Sequence, residues 1–247
     1  YLKTAVYEIH FPQSFQDMVC ARKRLVFEEF LFFIIGILVL KDMTVQEVND
    51  APMMRIDACQ DFIDRLPYQL TNAQKKVWAQ IENDMCSARL MNRLVQGDVG
   101  SGKTIVAILA MFLCIMNHHQ AAFMAPTEVL AKQHYESVLE LIEQYGLPFK
   151  PVLLTGALTA REKRRAKESI ALGTCNVIVG TQALLQGDVD FYDLRLVITD
   201  EQHRFGVKQR ETLAQKGIRP HILVMSATPI PRTLALILYG DLDISVM

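Results

Sequence analysis

The stretch "RLVQGDVGSGKTIVAIL", residues 93–109, decides the fold of this 247-residue chain. Gly97, Gly100 and Gly102 fall within six residues and permit backbone angles that a Cβ forbids, so the chain can curl there around something bulky. The curl leads straight into "TIVAILAMFLCIM", a long apolar segment that reads as a helix without a breaker. Such a loop points several unpaired N–H groups at one place, where the helix dipole adds roughly half a positive charge. That place suits an anion. Lys103 sets a full charge beside it, and the Thr104 hydroxyl is the kind of oxygen that coordinates magnesium. "MNRLVQG" ahead of the loop reads as a buried strand. Strand, loop and helix in that order make a phosphate cradle of the G-x-x-x-x-G-K-[ST] type, formed by Gly97, Asp98, Val99, Gly100, Ser101, Gly102, Lys103 and Thr104.

Outward from the cradle, short apolar runs alternate with amphipathic segments of helical period. The runs are "RLVQG", "AAFMAP", "PVLLTG", "NVIVGT", "LRLVITDE" and "HILVMSAT". Continuous apolar strands separated by helices predict a parallel sheet covered on both faces. The expected fold is therefore a doubly wound, mostly parallel α/β domain from about residue 70 to the end, with a helical segment before it. In that segment Ser14 caps a helix reaching about Leu40, residues 49–52 make a break, "RIDACQDFIDRL" forms a shorter helix ending at Pro67, and Thr71 caps a third over "NAQKKVWAQIENDM".

Sheets of this kind carry their chemistry at the carboxyl ends of the strands. The residues expected there are Gly97, Pro126 and Thr127, Thr155 and Gly156, Gly180 and Thr181, Asp200 and Glu201, and Ser226, Ala227 and Thr228. Nearly all are small, hydroxylated or acidic. A hydrophobic strand that delivers two carboxylates to its end is costly unless a cation awaits them, and beside a phosphate cradle that cation is Mg²⁺. Asp200 would hold it through water; Glu201 would orient or deprotonate the water that attacks the terminal phosphate.

Composition narrows the classes. Apolar residues make up 51% and charged residues 21%, enough for a buried core and against disorder. A net charge of −1 argues against a globally basic nucleic-acid binder, so any polyanion contact must be local. The most basic stretch is "REKRRAK", residues 161–167, which could equally be a solvated helix face. Five cysteines lie far apart with no C-x-x-C pair and read as buried thiols of a reducing compartment, not as a zinc site or disulfide framework. The apolar run "FLFFIIGILVL", residues 30–40, is shorter than the roughly 20 residues a bilayer requires and reads as a helix packed against another domain, not a membrane anchor.

Five segments together carry a family resemblance: "QGDVGSGKT", "MAPTEVLAKQHY", "GTQALLQ", "DEQHRFGVKQR" and "MSATPIPRTLALILYGDLD". They resemble successive motifs of superfamily-two helicase motors, closest to the RecG type of ATP-dependent DNA helicase. "DEQHRFG" and "ATPIPRT" are shared with transcription-repair coupling translocases, while "GDVGSGKT" and "LYGDLDIS" favour the RecG type. "LTNAQ" resembles the adenine-side element, and "IHFPQSF" with "ARKRLVFEEF" resembles the segment tethering a DNA-reading wedge domain to the motor. Gln182 departs from the histidine frequent in that family's G-T-H-A-L element.

The resemblance implies a RecA-like lobe that binds ATP with Mg²⁺ and works on branched DNA in recombination and repair, in the bacterial cytoplasm or nucleoid. It implies a helical linker over 1–69 and a first motor lobe over 70–247, the wedge domain and second lobe being absent, so that the chain alone would hydrolyse ATP very slowly. By the same resemblance Lys103 contacts the β- and γ-phosphates, Thr104 and Asp200 hold Mg²⁺, Glu201 acts on water and Gln74 reads adenine, with Tyr68 a candidate to stack on the ring. His203, Ser226 and Thr228 couple nucleotide state to DNA grip. Thr127, Thr181 and Gln182 face the DNA strand, with Arg164 and Arg165 of the basic stretch as further candidates. A second class stays open on the residues, a nucleotide-gated interaction module without turnover, while a small-molecule phosphate-loop kinase is disfavoured because "DEQH" and "SATP" have no place there and no lid segment is visible.

Overall fold

The computed structural model describes residues 1–43, 49–50, 52–200, 212–213, 216–217, 219–227 and 242–247. They divide into two compact units, residues up to 43 in one and residues 49–227 with 242–247 in the other. The first unit is a pair of packed helices, α1 (Leu2–His10) and α2 (Phe15–Met43). Ser14 caps α2 as its sequence suggests: its Oγ accepts the Asp17 N–H at 3.1 Å and donates to the Asp17 carboxylate at 2.6 Å. Ala5 and Ala21 are buried, the small residues that let two helices approach, while Phe27, Phe30, Phe32 and Phe33 stay exposed. No helix among the described residues is long and apolar enough to cross a membrane.

The second unit is built on a parallel sheet. In chain order its strands are β1 (Asn92–Gln96), β2 (Gln120–Met124), β3 (Pro151–Leu154), β4 (Val177–Gly180), β5 (Leu194–Thr199), β6 (His221–Ser226) and β7 (Asp243–Val246). They lie side by side in the order β3-β4-β2-β5-β6-β1-β7, and every pairing is parallel. The first six coincide with the apolar runs of the sequence. β7 does not: only four residues long, with Asp243 and Val246 exposed, it exists because Leu94 and its neighbours on β1 offer an unpaired edge.

Period-two alternation sorts the continuous apolar strands into two cores. Ala121, Phe123, Val177, Val179, Leu196 and Ile198 face one side; Ala122, Met124, Ile178 and Val197 face the other, joined by Leu194 across a register shift at the start of the β2–β5 pairing. The first side is covered by α3 (Ala58–Asp64), α4 (Asn72–Met85), α5 (Lys103–Met116) and α6 (Glu128–Tyr145). The second is covered by α7 (Ala160–Ala171) and the 3-10 turn Gln182–Leu185. Helix α5 is buried from Ile105 to Ile115 without interruption, which its all-round apolar sequence requires. Met53, Cys59 and Phe62 belong to the same core, so the chain from residue 53 onward packs with the sheet and the compact unit starts ahead of residue 70. Helix α3 is shorter than the apolar pattern of 55–66 suggests.

The cysteines separate by burial. Cys59, Cys114 and Cys175 are buried, Cys86 is half-buried, and Cys20 on α2 is exposed, which corrects the reading of all five as interior. Burial pushes the thiols of Cys59 and Cys175 up to about 12 and about 11 and that of Cys114 upward as well. Deprotonation at neutral pH is thereby suppressed, and these three are packing residues.

Candidate nucleotide-binding site

The cradle sits where β1 becomes α5. Gly97 stays in the sheet's hydrogen-bond pattern, its N–H donating to Ser226 O at 3.2 Å. The chain then turns through Gly100 and Gly102, both left-handed with φ of 82° and 81°. At Gly102 a second constraint applies, because a Cβ there would collide with the side-chain amide nitrogen of Gln74. Gly102 is the N-cap of α5 and carries no side chain to cap the first turn, where the Ile105 N–H donates to Gly102 O at 3.2 Å. Lys103 Nζ donates to Gly97 O at 2.7 Å and Asp98 O at 2.8 Å, which holds its ammonium across the loop. Thr104 is exposed on the first turn of α5. Ser101 Oγ is buried and has no hydrogen-bond partner among the described residues. Together these features make a tight glycine loop at the head of α5 with the Lys103 ammonium held across it.

Asp200 follows β5 directly. One strand, β6, separates β5 from β1, so the carboxylate strand and the cradle strand stand about 10 Å apart at the sheet's usual spacing. A phosphate chain with its metal spans such a gap. The Asp200 N–H donates to Met124 O of β2 at 3.0 Å, and its Oδ2 lies 3.0 Å from His134 Nε2. Both side chains are largely covered, 17% and 15% exposed. The His134 ring packs on Phe123 with centroids 4.4 Å apart. Thr199, the last residue of β5, is fully buried with an Oγ1 that has no partner among the described residues. Ser226 ends β6, buried, between the two sites. Glu201, His203 and Thr228 lie outside the described residues.

Gln74 joins the cradle from behind. Thr71 and Gln74 form a capping box on α4, with Gln74 Oε1 accepting the Thr71 N–H at 2.9 Å. Gln74 Nε2 donates to Ser101 O at 2.9 Å, so the side chain expected to read adenine also fixes the phosphate loop to α4. Each end of the amide keeps one further hydrogen-bonding position. Tyr68 is about half exposed just ahead of this cap.

The residues expected to face a DNA strand line the same carboxyl edge. Thr127 caps α6, its Oγ1 accepting the Leu130 N–H at 3.3 Å. Glu128 next to it accepts the Ala157 N–H at 2.7 Å, joining the loops after β2 and β3. Thr181 is buried, donating its N–H to Leu154 O at 3.3 Å, and Gln182 is exposed. On α7, Lys163 reaches Gly156 O at 2.6 Å, Lys167 pairs with Asp188 at 2.6 Å and Arg164 with Glu168 at 2.8 Å. Arg165 is exposed. Much of the basic stretch is therefore engaged within the chain. Two residues of this edge escape sequence reasoning, His134 and Glu128 in its carboxylate role. The signal for His134 is its spacing, seven residues or two turns beyond Thr127, on the same face of α6.

Comparison with known proteins places this geometry. The DEAD/DEAH box helicase family model matches residues 71–237. The ATP-dependent DNA helicase RecG of Thermotoga maritima is 47% identical over the whole chain, which covers 31% of that protein. RecG of Bacillus subtilis is 43% identical over 98% of the chain and 36% of its own length. The chain thus spans about a third of the curated relatives it matches. A solved structure of RecG bound to a three-way DNA junction superposes with a TM-score of 0.81 at 43% identity, over 98% of this chain and 32% of that one. The DEAD-box helicase Mss116 bound to single-stranded RNA shares the fold alone, with a TM-score of 0.58 at 18% identity over 80% of this chain and 43% of that one. The sheet unit is accordingly a RecA-like helicase lobe.

Proposed function

Because this chain belongs to the DEAD/DEAH box helicase family, we propose that its sheet unit is the ATP-binding lobe of an ATP-dependent DNA helicase or translocase of the RecG type that acts on branched DNA. The observation that carries the reading is the cradle: two left-handed glycines, an N-cap without a capping side chain, and Lys103 held across the loop, all at the carboxyl edge of a parallel sheet. The α5 N–H groups receive the β-phosphate, and Lys103 exchanges its two carbonyl acceptors for phosphate oxygens, a stronger charge-assisted bond. Thr104 and Asp200 are the residues that would hold Mg²⁺, which would screen the phosphate charge and support attack at the terminal phosphorus. Glu201 aligns and deprotonates the attacking water. Gln74 sets the adenine side and keeps the loop registered against α4.

Thr127, Thr181 and Gln182 position a DNA strand through its phosphates, which gives register without reading sequence. His203, Ser226 and Thr228 link the two functions. The linker reading of residues 1–69, the partner wedge and second lobe, and a place in the bacterial cytoplasm belong to the same proposal and rest on the likeness to longer RecG proteins. The test uses the longer protein that carries this segment. Branched DNA should stimulate its ATP hydrolysis more than linear duplex, and Glu201→Gln should abolish hydrolysis while ATP affinity stays within about threefold. Hydrolysis by Glu201→Gln at near the wild-type rate would overturn the role of Glu201, and turnover indifferent to DNA would overturn the motor reading.

A further inference from the structure

The contact between α6 and the end of β5 belongs to neither the cradle nor the strand-facing residues, yet it joins them. His134 Nε2 lies 3.0 Å from Asp200 Oδ2, both side chains are mostly covered, and the ring is held by Phe123. A carboxylate can only accept, so the imidazole donates from Nε2. The Asp200 N–H is anchored separately to Met124 O, which leaves rotation of the side chain as the degree of freedom that His134 restrains. Helix α6 is capped by Thr127, at the strand-facing edge, and His134 lies about two turns beyond that cap. We propose that His134 is a positioning residue for Asp200: it sets the orientation in which the carboxylate meets the magnesium of a bound nucleotide, and it ties that orientation to helix α6. Ligating carboxylates are commonly oriented by a second hydrogen-bonding group, and removing that group typically lowers metal affinity 10- to 100-fold.

This inference rests on the nucleotide reading above. The test compares His134→Met, similar in length but without a donor, with His134→Gln, which retains one. Affinity for a fluorescent ADP is measured in EDTA and across a magnesium titration, with the urea midpoint as a check on folding. His134→Met should raise the magnesium concentration for half-maximal tightening about 10- to 100-fold, with affinity in EDTA unchanged within about twofold, while His134→Gln should stay near wild type. A Met variant with unchanged magnesium half-saturation would overturn the proposal. So would equal losses for Met and Gln together with a lowered urea midpoint, which would make His134 a packing residue. Should the wild-type chain bind no ADP at any magnesium concentration, the nucleotide reading itself falls and takes this one with it.

Discussion

The two rims of the sheet are made of similar residue types and put them to opposite uses. At the amino rim, several polar side chains are bonded within the chain. Gln120 donates to Ile170 O and Cys175 O, both at 3.0 Å, and accepts the Asp193 N–H at 3.1 Å. Asn176 accepts from Lys150 N at 2.6 Å and donates to Pro148 O at 2.9 Å. His221, buried at the start of β6, accepts the Met91 N–H at 3.0 Å. Asp193 holds both His119 and Arg195. At the carboxyl rim, Ser101 Oγ and Thr199 Oγ1 are buried without partners among the described residues, and the first turn of α5 has no capping side chain. Unsatisfied buried polar atoms are costly, which marks Ser101 and Thr199 as candidates for contact with a ligand.

That contrast can be broken from either side. The largest effect belongs to the amino rim. Burial, reinforced by the nearby Arg195 and His119, lowers the His221 pKa to about 4. Between pH 6.5 and 4 the unfolded chain takes up a proton that the folded chain refuses. Stability is therefore complete above pH 6.5, falls as the pH drops toward 4, and loses about 3 kcal/mol over that window. Urea denaturation at pH 7.5 and 4.5 should show this loss in the wild type and a much smaller one in His221→Gln; equal pH dependence would remove His221 from its assigned role.

At the carboxyl rim, Lys103→Ala should weaken ADP binding about 30- to 150-fold, equivalent to about 2–3 kcal/mol for a bond to a charged group. The loss of binding should exceed any shift of the urea midpoint, because the side chain bonds to exposed loop carbonyls of the cradle. A lowered midpoint with intact binding would invert the comparison. Gln120→Ala is the mirror experiment. It removes the side-chain partner of Cys175 O and of the Asp193 N–H at the amino rim and one of the donors to Ile170 O, so stability should fall by about 2 kcal/mol while ADP affinity stays unchanged. The smallest expected effect is at Arg165, exposed on α7. In the longer protein, Arg165→Ala should leave the urea midpoint alone and reduce the slope of log K against log salt for DNA by about 0.7–0.9. An unchanged slope would make this basic stretch a solvated face.

How much of this was legible in advance follows from the range of the interactions. The glycine spacing, the Lys103–Thr104 pair, the Thr71 and Ser14 caps and six strands depend on neighbours a few residues away, and each is written locally. Strand β7 was not legible, because its four residues are a strand only through pairing with β1. Helix α3 was misjudged in length because its ends answer to the core it joins through Cys59 and Phe62. The double duty of Gln74 became visible only when α4 was packed behind the loop.

The sequence by itself determined a parallel α/β sheet, a phosphate cradle over 97–104 and a carboxylate at the end of the fifth strand, since turn chemistry, helix capping and apolar period act over one or two turns of chain. Only the tertiary structure decided which side chains meet across the strand order. It set Asp200 one strand away from the cradle and brought His134 from 66 residues earlier to within 3.0 Å of it. Those meetings depend on sheet order and helix packing, which couple residues far apart in sequence and leave no periodic trace along it.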